Sequence, residues 1–389
     1  MEPSKHTGPL RVLIIGAVFE QDSGPDARPR DWSFGIYWAQ SRIDECLTDD
    51  LKALVDTVQT DPSYRRIPDS VLPLYHGTTG ELLKALPAPY AIRLKRKAWL
   101  GLLRTGVDVR WSKKLIDIIT TEDGVTARFS DGTTETGTLL IGCEGAHSFT
   151  RQWLFRSSPQ DAALQHAPFT SFVTITKLGE IGRALVDIHP TYAIAPEPDG
   201  FYTFWCSHDH VGNDPSEWTF LIILTWATDR TVDHDALSRN NDLLLADVRK
   251  RSDHLAYPFR DMIAAIPRDA KIWYHDHMNY WPTKAWDNRG GRVTLAGDAA
   301  HTMTFHRGQG LGNAIEDVAE LQTYLRSMKC HTREELAKVV AEYEKEVWKR
   351  GAEVVEENLQ NTYMVHDWER LTQSPLFAGL HRLDSGARH

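Results

Sequence analysis

Nearly unbroken apolar runs mark the strands of a buried sheet. Residues 10–17 and 139–142 each consist mainly of Leu, Ile and Val and include a glycine at or near their end, and residues 292–296 form a similar run. Such continuous runs are typical of parallel strands covered on both faces. The three runs therefore predict a parallel sheet that is assembled from distant parts of the chain.

Alternating runs and turn dipeptides predict antiparallel strands elsewhere. Residues 107–119, 125–129 and 134–141 are strand-like, and the Asp-Gly pairs at 123–124 and 131–132 separate them as hairpin turns. They predict a small antiparallel excursion that returns to the main sheet at residues 139–142. Four more runs within residues 165–285 (171–176, 191–195, 201–206 and 218–226) predict an antiparallel sheet over a substrate pocket.

Helical periodicity appears in four segments. Residues 41–58 suggest a helix, and residues 92–103 place Trp99, Leu102 and Leu103 on one helical face. Residues 314–328 and 334–360 predict two further helices, the second long and amphipathic. The Pro-rich residues 59–90 are expected to be irregular.

The segment after the first strand departs from the pattern of a dinucleotide-binding fold. Gly16 should be followed by Gly-x-x-Gly and a helix, but residues 18–22 read as a second strand, with Glu20 placed as the acid that binds ribose. Parallel neighbours need a connection of about a dozen residues or more. The two runs are therefore expected to fuse, or one leaves the sheet. The phosphate cradle is lost either way. A skipped exon, an error in the gene sequence or a genuine deletion would each explain the pattern.

A Gly-rich stretch over residues 297–317 carries the strongest chemical signal. It follows the run at 292–296 and precedes a helix, so Asp298 lies at the carboxyl end of a strand, where open α/β sheets bind ligands. Glycines let backbone N–H groups approach a polar ligand closely. The stretch resembles the second FAD motif of the FAD-dependent aromatic hydroxylases, which are single-component (group A) flavoprotein monooxygenases with the p-hydroxybenzoate hydroxylase fold. The matching residues are Gly297, Asp298, Ala299, Ala300, His301, Gly308, Gly310 and Asp317.

Two positions of this motif differ from the family pattern. Three other segments of the chain also resemble the family. Phe305 replaces the usual Pro, in wording close to a fungal branch, and Gly312 replaces Asn. Residues 143–151 resemble the Asp-Gly motif, with Glu144 in place of Asp. Arg96 begins an R-x-x-L-x-x-L-L segment, and residues 27–38 resemble the region where an Arg approaches FAD.

The resemblance implies an α/β fold with a Rossmann-like FAD-binding domain, whose first crossover is truncated, an antiparallel-sheet substrate domain and C-terminal helices. The expected limits are 8–160 with 286–330, 161–285, and 331–389. It implies FAD and NAD(P)H as cofactors, with NADH or NADPH left open. It also implies hydroxylation or epoxidation, with O₂, of an aromatic or secondary-metabolite substrate, a small aromatic or polycyclic compound. The implied cofactor-binding residues are Gly16, Glu20, Arg30, Arg96, Glu144, Gly145, Arg151, Gly297, Asp298, Gly308, Gly310, Gly312 and Asn313. The alternative is a non-functional truncated isoform or a flavin-free, non-redox relative.

Composition limits the partners. A net charge of −9 argues against a nucleic-acid partner, and the absence of a long apolar run argues against membrane insertion. Four scattered cysteines without C-x-x-C spacing predict free thiols in the cytoplasm. The triplets His208-Asp209-His210 and His275-Asp276-His277 each could offer two imidazoles to a metal, but no third ligand is placed by spacing, and no metal site is predicted. A monomer or homodimer is expected.

Overall fold

A computed structural model describes residues 9–29 and 31–374 of the chain. Its strands are, in order, β1 Val12–Ile15, β2 Ser33–Ile36, β3 Val71–Tyr75, β4 Leu82–Pro87, β5 Ile92–Lys95, β6 Leu115–Thr120, β7 Val125–Phe129, β8 Thr134–Gly137, β9 Leu139–Gly142, β10 Gln165–Ala167, β11 Phe169–Lys177, β12 Tyr192–Pro196, β13 Tyr202–Asp209, β14 Thr219–Ala227, β15 Ile272–His275, β16 Met278–Tyr280 and β17 Val293–Leu295.

Helices alternate with these strands or follow them. They are α1 Gln40–Cys46, α2 Asp49–Lys52, α3 Arg96–Leu103, α4 Phe149–Leu154, α5 Pro159–Ala162, α6 Glu180–Ile188, α7 His234–Arg239, α8 Asn241–Ser252, α9 Phe259–Ala264, α10 Asp298–His301, α11 Gly310–Arg326, α12 Arg333–Val365 and α13 Trp368–Thr372, with 3₁₀ turns at Val55–Val58 and Pro215–Glu217. The α/β fold class is thereby confirmed. No helix in the described ranges is both long and apolar enough to cross a membrane.

The three apolar runs form one parallel sheet, as predicted. Its order is β1-β9-β17, with Val12 opposite Leu139 and Val293 opposite Leu140. Leu13, Leu140 and Leu295 are at most 1% exposed. Burial on both faces explains why these strands are continuously apolar.

The segment between β1 and the second apolar run contains no helix, as predicted, and the two runs do not fuse into one strand. The chain turns sharply at Gly16, whose φ is +85°, and Phe19 then forms a parallel bridge beside Ile15. The amide of Gly16 donates to the carbonyl of Phe19 at 2.9 Å, and the amide of Phe19 donates to the carbonyl of Ile14 at 3.0 Å. A connection this short is possible because the pairing is a single bridge rather than a ladder. The prediction of one fused strand is therefore wrong, whereas the alternative, that one run leaves the sheet, agrees with the structure, since residues 18–22 belong to none of its strands.

A seven-stranded sheet forms the second large layer, in the order β15-β11-β14-β13-β12-β3-β4. Strands β3 and β4 come from residues 71–87, so the expectation of an irregular stretch there is wrong. β3 pairs in parallel with β12, and β4 pairs antiparallel with β3. The sheet consequently extends beyond the predicted unit 161–285.

The antiparallel excursion is present as β6-β7-β8, and the chain re-enters the parallel sheet at β9. Its first strand begins at Leu115 rather than 107. The earlier residues pair elsewhere, because the amide of Arg110 donates to the carbonyl of Val18 at 2.7 Å.

The predicted C-terminal helix is α12, a 33-residue helix. Its buried residues include Val340, Tyr343 and Val347, which belong to the core around the parallel sheet, whereas Val365 packs in the core beside the large sheet. The helix thus spans both layers and fixes the position of one relative to the other.

Candidate functional site

The turn after β17 presents an acidic side chain in a recess. Gly297 has φ +63°, a conformation that favours glycine, and it directs the chain into α10. The Asp298 side chain is accessible to water, but protein atoms surround it closely. Desolvation by these atoms raises the pKa of Asp298, although the nearby His301 acts to lower it. Its carboxylate accepts no hydrogen bond from the residues that the structure describes. It is therefore available to hydroxyl or N–H donors of a ligand.

A buried ion network holds this turn in place. The Asp317 carboxylate, which is 0% exposed, accepts hydrogen bonds from the Gly297 amide at 2.6 Å, His301 Nε2 at 2.8 Å and Arg350 Nη2 at 2.5 Å. Burial alone would raise the pKa of Asp317, but His301 and Arg350 outweigh burial and lower it. Arg350 also pairs with Glu346 at 2.6 Å. The presence of Gly297 and Asp317 in one motif is a sequence signal for this contact, whereas nothing in the sequence pointed to Arg350.

The N-terminus of α11 lies beside the recess. A Cβ added at Gly310 would lie 3.7 Å from Asp298 Oδ1, so the helix begins next to the carboxylate. The first-turn N–H groups at Gly310, Leu311 and Gly312 have no partner within the helix, and the helix dipole favours negative charge there. Gly308, with φ +61°, makes the turn that precedes them.

Two predicted site residues at this helix have structural partners instead. Asn313 is fully buried and donates to the carbonyl of Gln309 at 2.9 Å, while its side-chain oxygen accepts from Arg350. At Gly312, a Cβ would lie only 3.0 Å from Trp38 Cζ2. Trp38 therefore occupies the space that the Asn of the family pattern needs, which explains the glycine.

The loop after β9 contains the second predicted motif, and its side chains are bound internally. Glu144 accepts hydrogen bonds from Ser148 Oγ at 2.8 Å and from the Thr150 amide at 3.0 Å, so it caps α4. Gly145 has φ +80° and open space at its Cβ position. The structure thus leaves room for a ligand at Gly145 but not a free carboxylate at Glu144.

Arg151 joins the two motif loops rather than facing the recess. It is 1% exposed, and its guanidinium donates to the carbonyls of Ala146, Ala162 at 3.2 Å and Ala299 at 3.1 Å. Burial lowers the pKa of Arg151 to about 10. Arg151, an expected cofactor-binding residue, thus has its guanidinium bonded to carbonyls of this chain.

The remaining predicted residues lie after β1 and at the start of α3. Glu20 accepts from the Asp22 amide at 3.1 Å and lies 4.0 Å from the Arg28 guanidinium. Arg96 begins α3, as predicted, and its guanidinium lies 4.6 Å from the centre of the Trp32 ring. Arg30 falls outside the described residues.

A cavity of about 450 Å³ is lined in part by Tyr37 and by the Gly308 turn, which leads into Gly310 beside Asp298. Most of the wall is apolar and comes from the large sheet and from β2, through residues such as Phe34, Leu72, Phe204, Leu221 and Trp273. Phe305, at the family's Pro position, also lines it and stacks on His306 with ring centres 4.8 Å apart. Ligand pockets commonly have this size and character.

Two histidines share a threonine hydroxyl behind this cavity. His366 Nδ1 lies 2.6 Å from the carbonyl oxygen of Thr362, which can only accept, so Nδ1 carries the proton. Burial lowers the pKa of His366 to about 4, so the ring is neutral near pH 7 and Nε2 accepts from Thr225 Oγ1 at 2.8 Å. The same oxygen then accepts from His306 Nε2 at 3.0 Å. The hydrogen bonds consequently run in one direction, from His306 to His366.

The two His-Asp-His triplets do not converge. His210 stacks on Trp218 with ring centres 3.6 Å apart, and His277 bonds Asp276 at 2.7 Å. Among the described residues, the group close enough for a metal consists of Glu197, Asp199 and His254, away from both triplets.

One half of an FAD-type cofactor fits this site better than the other. The free Asp298 carboxylate suits the hydroxyls of a ribityl-flavin, and the α11 N-terminus suits the negative charge that its ring carries when reduced. A pyrophosphate needs N–H groups at a helix N-terminus after β1, but no helix follows β1, and the Gly16 amide is already bonded to Phe19.

Sequence comparisons place the chain among known proteins. Residues 99–358 match the family described as FAD binding domain. The FAD-dependent monooxygenase cctM of Talaromyces islandicus is 40% identical, over 97% of this chain and 98% of the relative. The FAD-dependent monooxygenase phnB of Penicillium herquei is 29% identical, over 95% and 90%.

Solved structures share the fold. The chain matches 2,6-dihydroxypyridine-3-hydroxylase from Arthrobacter nicotinovorans with a TM-score of 0.73 and 16% identity, over 95% and 96% of the two chains. It matches Klebsiella pneumoniae HpxO, complexed with FAD and uric acid, with a TM-score of 0.72 and 16% identity, over 95% and 92%. The chain therefore belongs to the FAD-dependent monooxygenase family.

Proposed function

We propose that this chain uses FAD, NAD(P)H and O₂ to hydroxylate or epoxidise an aromatic or polycyclic secondary metabolite. The observation that carries the proposal is the closeness in sequence of a cavity-lining turn and a free carboxylate's neighbour. The Asp298 recess suits a flavin, and Gly308, which lines the apolar cavity, lies two residues before Gly310, whose Cβ position is 3.7 Å from Asp298 Oδ1. A substrate in the cavity would thus lie beside a flavin in the recess.

The residues of the site would position and shield the reacting groups. The bound flavin supplies the redox chemistry and the activation of oxygen. Asp298 would accept hydrogen bonds from the ribityl hydroxyls. The N–H groups at Gly310 and Leu311, with the α11 dipole, would favour negative charge on the ring. The apolar cavity wall would exclude water from the reaction.

We infer that recognition of the cofactor falls mainly on its flavin and ribityl half. Each charge-assisted hydrogen bond to a phosphate contributes about 1.5–3 kcal/mol, and about 1.4 kcal/mol changes affinity tenfold. Without a helix after β1, several such bonds are lost. FAD is therefore expected to bind more weakly than in a relative with the crossover, by orders of magnitude.

The second candidate is a non-functional isoform or a flavin-free, non-redox relative. One observation favours it: the Gly16 amide donates to the Phe19 carbonyl and is therefore not available to a phosphate. The free Asp298 carboxylate favours the first candidate, because a chain without a ligand at this recess gains nothing from an unpartnered acid there.

The proposal also covers the compartment and assembly. The four cysteines are unpaired, which suits a reducing compartment such as the cytoplasm. A monomer or a homodimer remains the proposed assembly.

The test is a visible absorption spectrum of the purified protein, before and after incubation with excess FAD and desalting. Retained flavin absorbance, with NAD(P)H consumption stimulated by an aromatic compound, supports the monooxygenase. A colourless protein overturns it for this chain. A version with a crossover helix inserted between Gly16 and Val18 then separates the candidates, because restored flavin binding indicates a damaged monooxygenase.

A further inference from the structure

A buried arginine in the cavity wall has only neutral hydrogen-bond partners. Arg93 lies on β5 and is 5% exposed. Its Nε donates to Ser33 Oγ at 3.0 Å, and its Nη2 donates to the Ser33 carbonyl at 2.8 Å. The guanidinium lies 5.2 Å from the centre of the Phe204 ring. The Cys206 thiol is a further side-chain hydrogen-bond partner, so the hydrogen-bond partners of Arg93 in residues 9–29 and 31–374 are all neutral groups.

The charge of Arg93 is also uncompensated, and this distinguishes it from the other cations nearby. No described carboxylate forms an ion pair with it. Arg307, which lines the same cavity, pairs with Glu357 at 2.8 Å, and the buried Arg350 pairs with Asp317 and Glu346. Buried charges are ordinarily paired. A lone cation in an apolar wall therefore indicates that its counter-ion comes from outside the chain.

The acidic residue in the cavity wall does not supply that counter-ion. Asp31 Oδ1 accepts hydrogen bonds from the backbone amides of Trp32 and Lys97, both at 3.0 Å. Its Oδ2 lies 3.9 Å from His208 Nε2. The carboxylate is thus directed to the start of α3 and to β13 rather than to Arg93.

Two tyrosine hydroxyls add donors to the same cavity. Tyr37 and Tyr202 both line it, and neither hydroxyl has a hydrogen-bond partner in the part of the chain that the structure describes. Burial raises the pKa of both phenols, so both remain protonated and able to donate. Arg93 on β5, Tyr37 after β2 and Tyr202 on β13 approach the cavity from different elements.

We propose that Arg93 is the counter-ion of an anionic oxygen on the aromatic substrate, with the hydroxyls of Tyr37 and Tyr202 as additional donors. This inference rests on the proposed function and specifies its substrate class, an aromatic compound that carries an ionised oxygen. A phenolate or a carboxylate would supply that oxygen. Planar guanidinium groups bind such oxygens with charge-assisted hydrogen bonds. Arg93 would thus select the substrate and fix its orientation in the cavity.

The test uses matched probes on FAD-saturated protein, with quenching of tryptophan fluorescence as the readout, since Trp32 and Trp273 line the cavity. Naphthoate is compared with naphthamide, and para-nitrophenolate with para-nitroanisole, so the two pairs distinguish carboxylate from phenolate. In at least one of the two pairs, the anion is expected to bind about ten- to a hundredfold more tightly than its neutral partner. Arg93→Met is expected to abolish that preference, and Arg93→Lys to retain part of it.

Arg307→Met serves as the matched control, because that cation already has a carboxylate partner; it is expected to keep the anion preference. Equal binding of anion and neutral probe in both pairs overturns the proposal, and so does an anion preference that survives in Arg93→Met. If Arg93→Met does not fold, Arg93→Gln and the wild-type probe pairs decide. Flavin retention, measured separately by absorbance, reports on the proposed function, so its failure and failure of the Arg93 assignment are distinguishable.

Discussion

Removing the Asp317 carboxylate is expected both to destabilise the folded chain and to disorder the Gly297 turn at the Asp298 recess. In Asp317→Ala, the Gly297 amide, His301 and Arg350 each lose an acceptor that lies within 2.8 Å. Breaking a buried ion pair by removing one partner costs about 3–5 kcal/mol. Arg350 keeps Glu346 as a partner, so we expect the low end, about 3 kcal/mol. That loss is a large part of a typical stability of about 5–15 kcal/mol.

Urea unfolding followed by circular dichroism and tryptophan fluorescence measures this loss. Arg350→Met and the double variant complete a cycle, and the two substitutions are expected to be non-additive by at least about 1 kcal/mol. The half-exposed surface pair Arg183 and Asp214 provides a comparison, for which the coupling is expected to be about 0–1 kcal/mol. Additive effects at Asp317 and Arg350 would refute the reasoning.

The same variants test the link to the recess. The Gly297 amide loses its acceptor in Asp317→Ala but keeps it in Arg350→Met. Flavin retention per folded molecule should therefore fall further in Asp317→Ala than in Arg350→Met. Equal retention in the two variants would show that the carboxylate stabilises the fold without positioning the turn.

Three further predictions follow from individual contacts. Gly312→Asn, which restores the family residue, should lower stability by about 1–3 kcal/mol because its Cβ meets Trp38; Trp38→Leu in the same chain should recover part of the thermal midpoint, and no recovery would contradict the steric explanation. Asp298→Ala should weaken flavin binding about ten- to a hundredfold with little change in the urea midpoint, since its carboxylate has no described intramolecular partner; a large midpoint shift would argue against a binding role. The folded-state pKa of His366, lowered to about 4, favours the neutral ring, so its contribution is present above the unfolded pKa of about 6.5 and is lost as pH falls toward 4. Wild type should therefore lose up to about 3 kcal/mol relative to His366→Leu between pH 7 and pH 4, measured by urea unfolding at each pH, and a pH-independent difference would contradict the assigned protonation.

Much of the fold was predictable because local pattern and burial agree. The apolar runs of β1 and β9 and the periodicity of α12 gave the correct elements. Strands β3 and β4 were missed since Pro73 and the flanking prolines read as loop, and β3 pairs with β12, more than a hundred residues away along the chain. Only tertiary pairing makes such a segment extended.

The closeness of Asp298 and Gly310 was predictable because both lie in one continuous motif. Features of the site that depend on long-range contact were not predictable. The lack of a carboxylate partner for Arg93 and the packing of Trp38 on Gly312 follow from the folded arrangement of remote segments. Glu144 and Arg151 illustrate the converse, since their residue types suit a ligand site but their donors and acceptors are satisfied by neighbouring loops.

The order of the parallel sheet has a consequence for how the chain acquires its structure. Its strands β1, β9 and β17 are recruited from the beginning, the middle and the last third of the sequence. During synthesis, β1 leaves the ribosome long before β17 is made. All strands of the large sheet precede β17 in the chain and are therefore made before it. Non-local pairing of this kind slows folding and leaves edges unpaired for longer. We therefore expect the large sheet to form first and the parallel sheet to be completed last. Ribosome-stalled chains that end before Val293 would then depend strongly on chaperones.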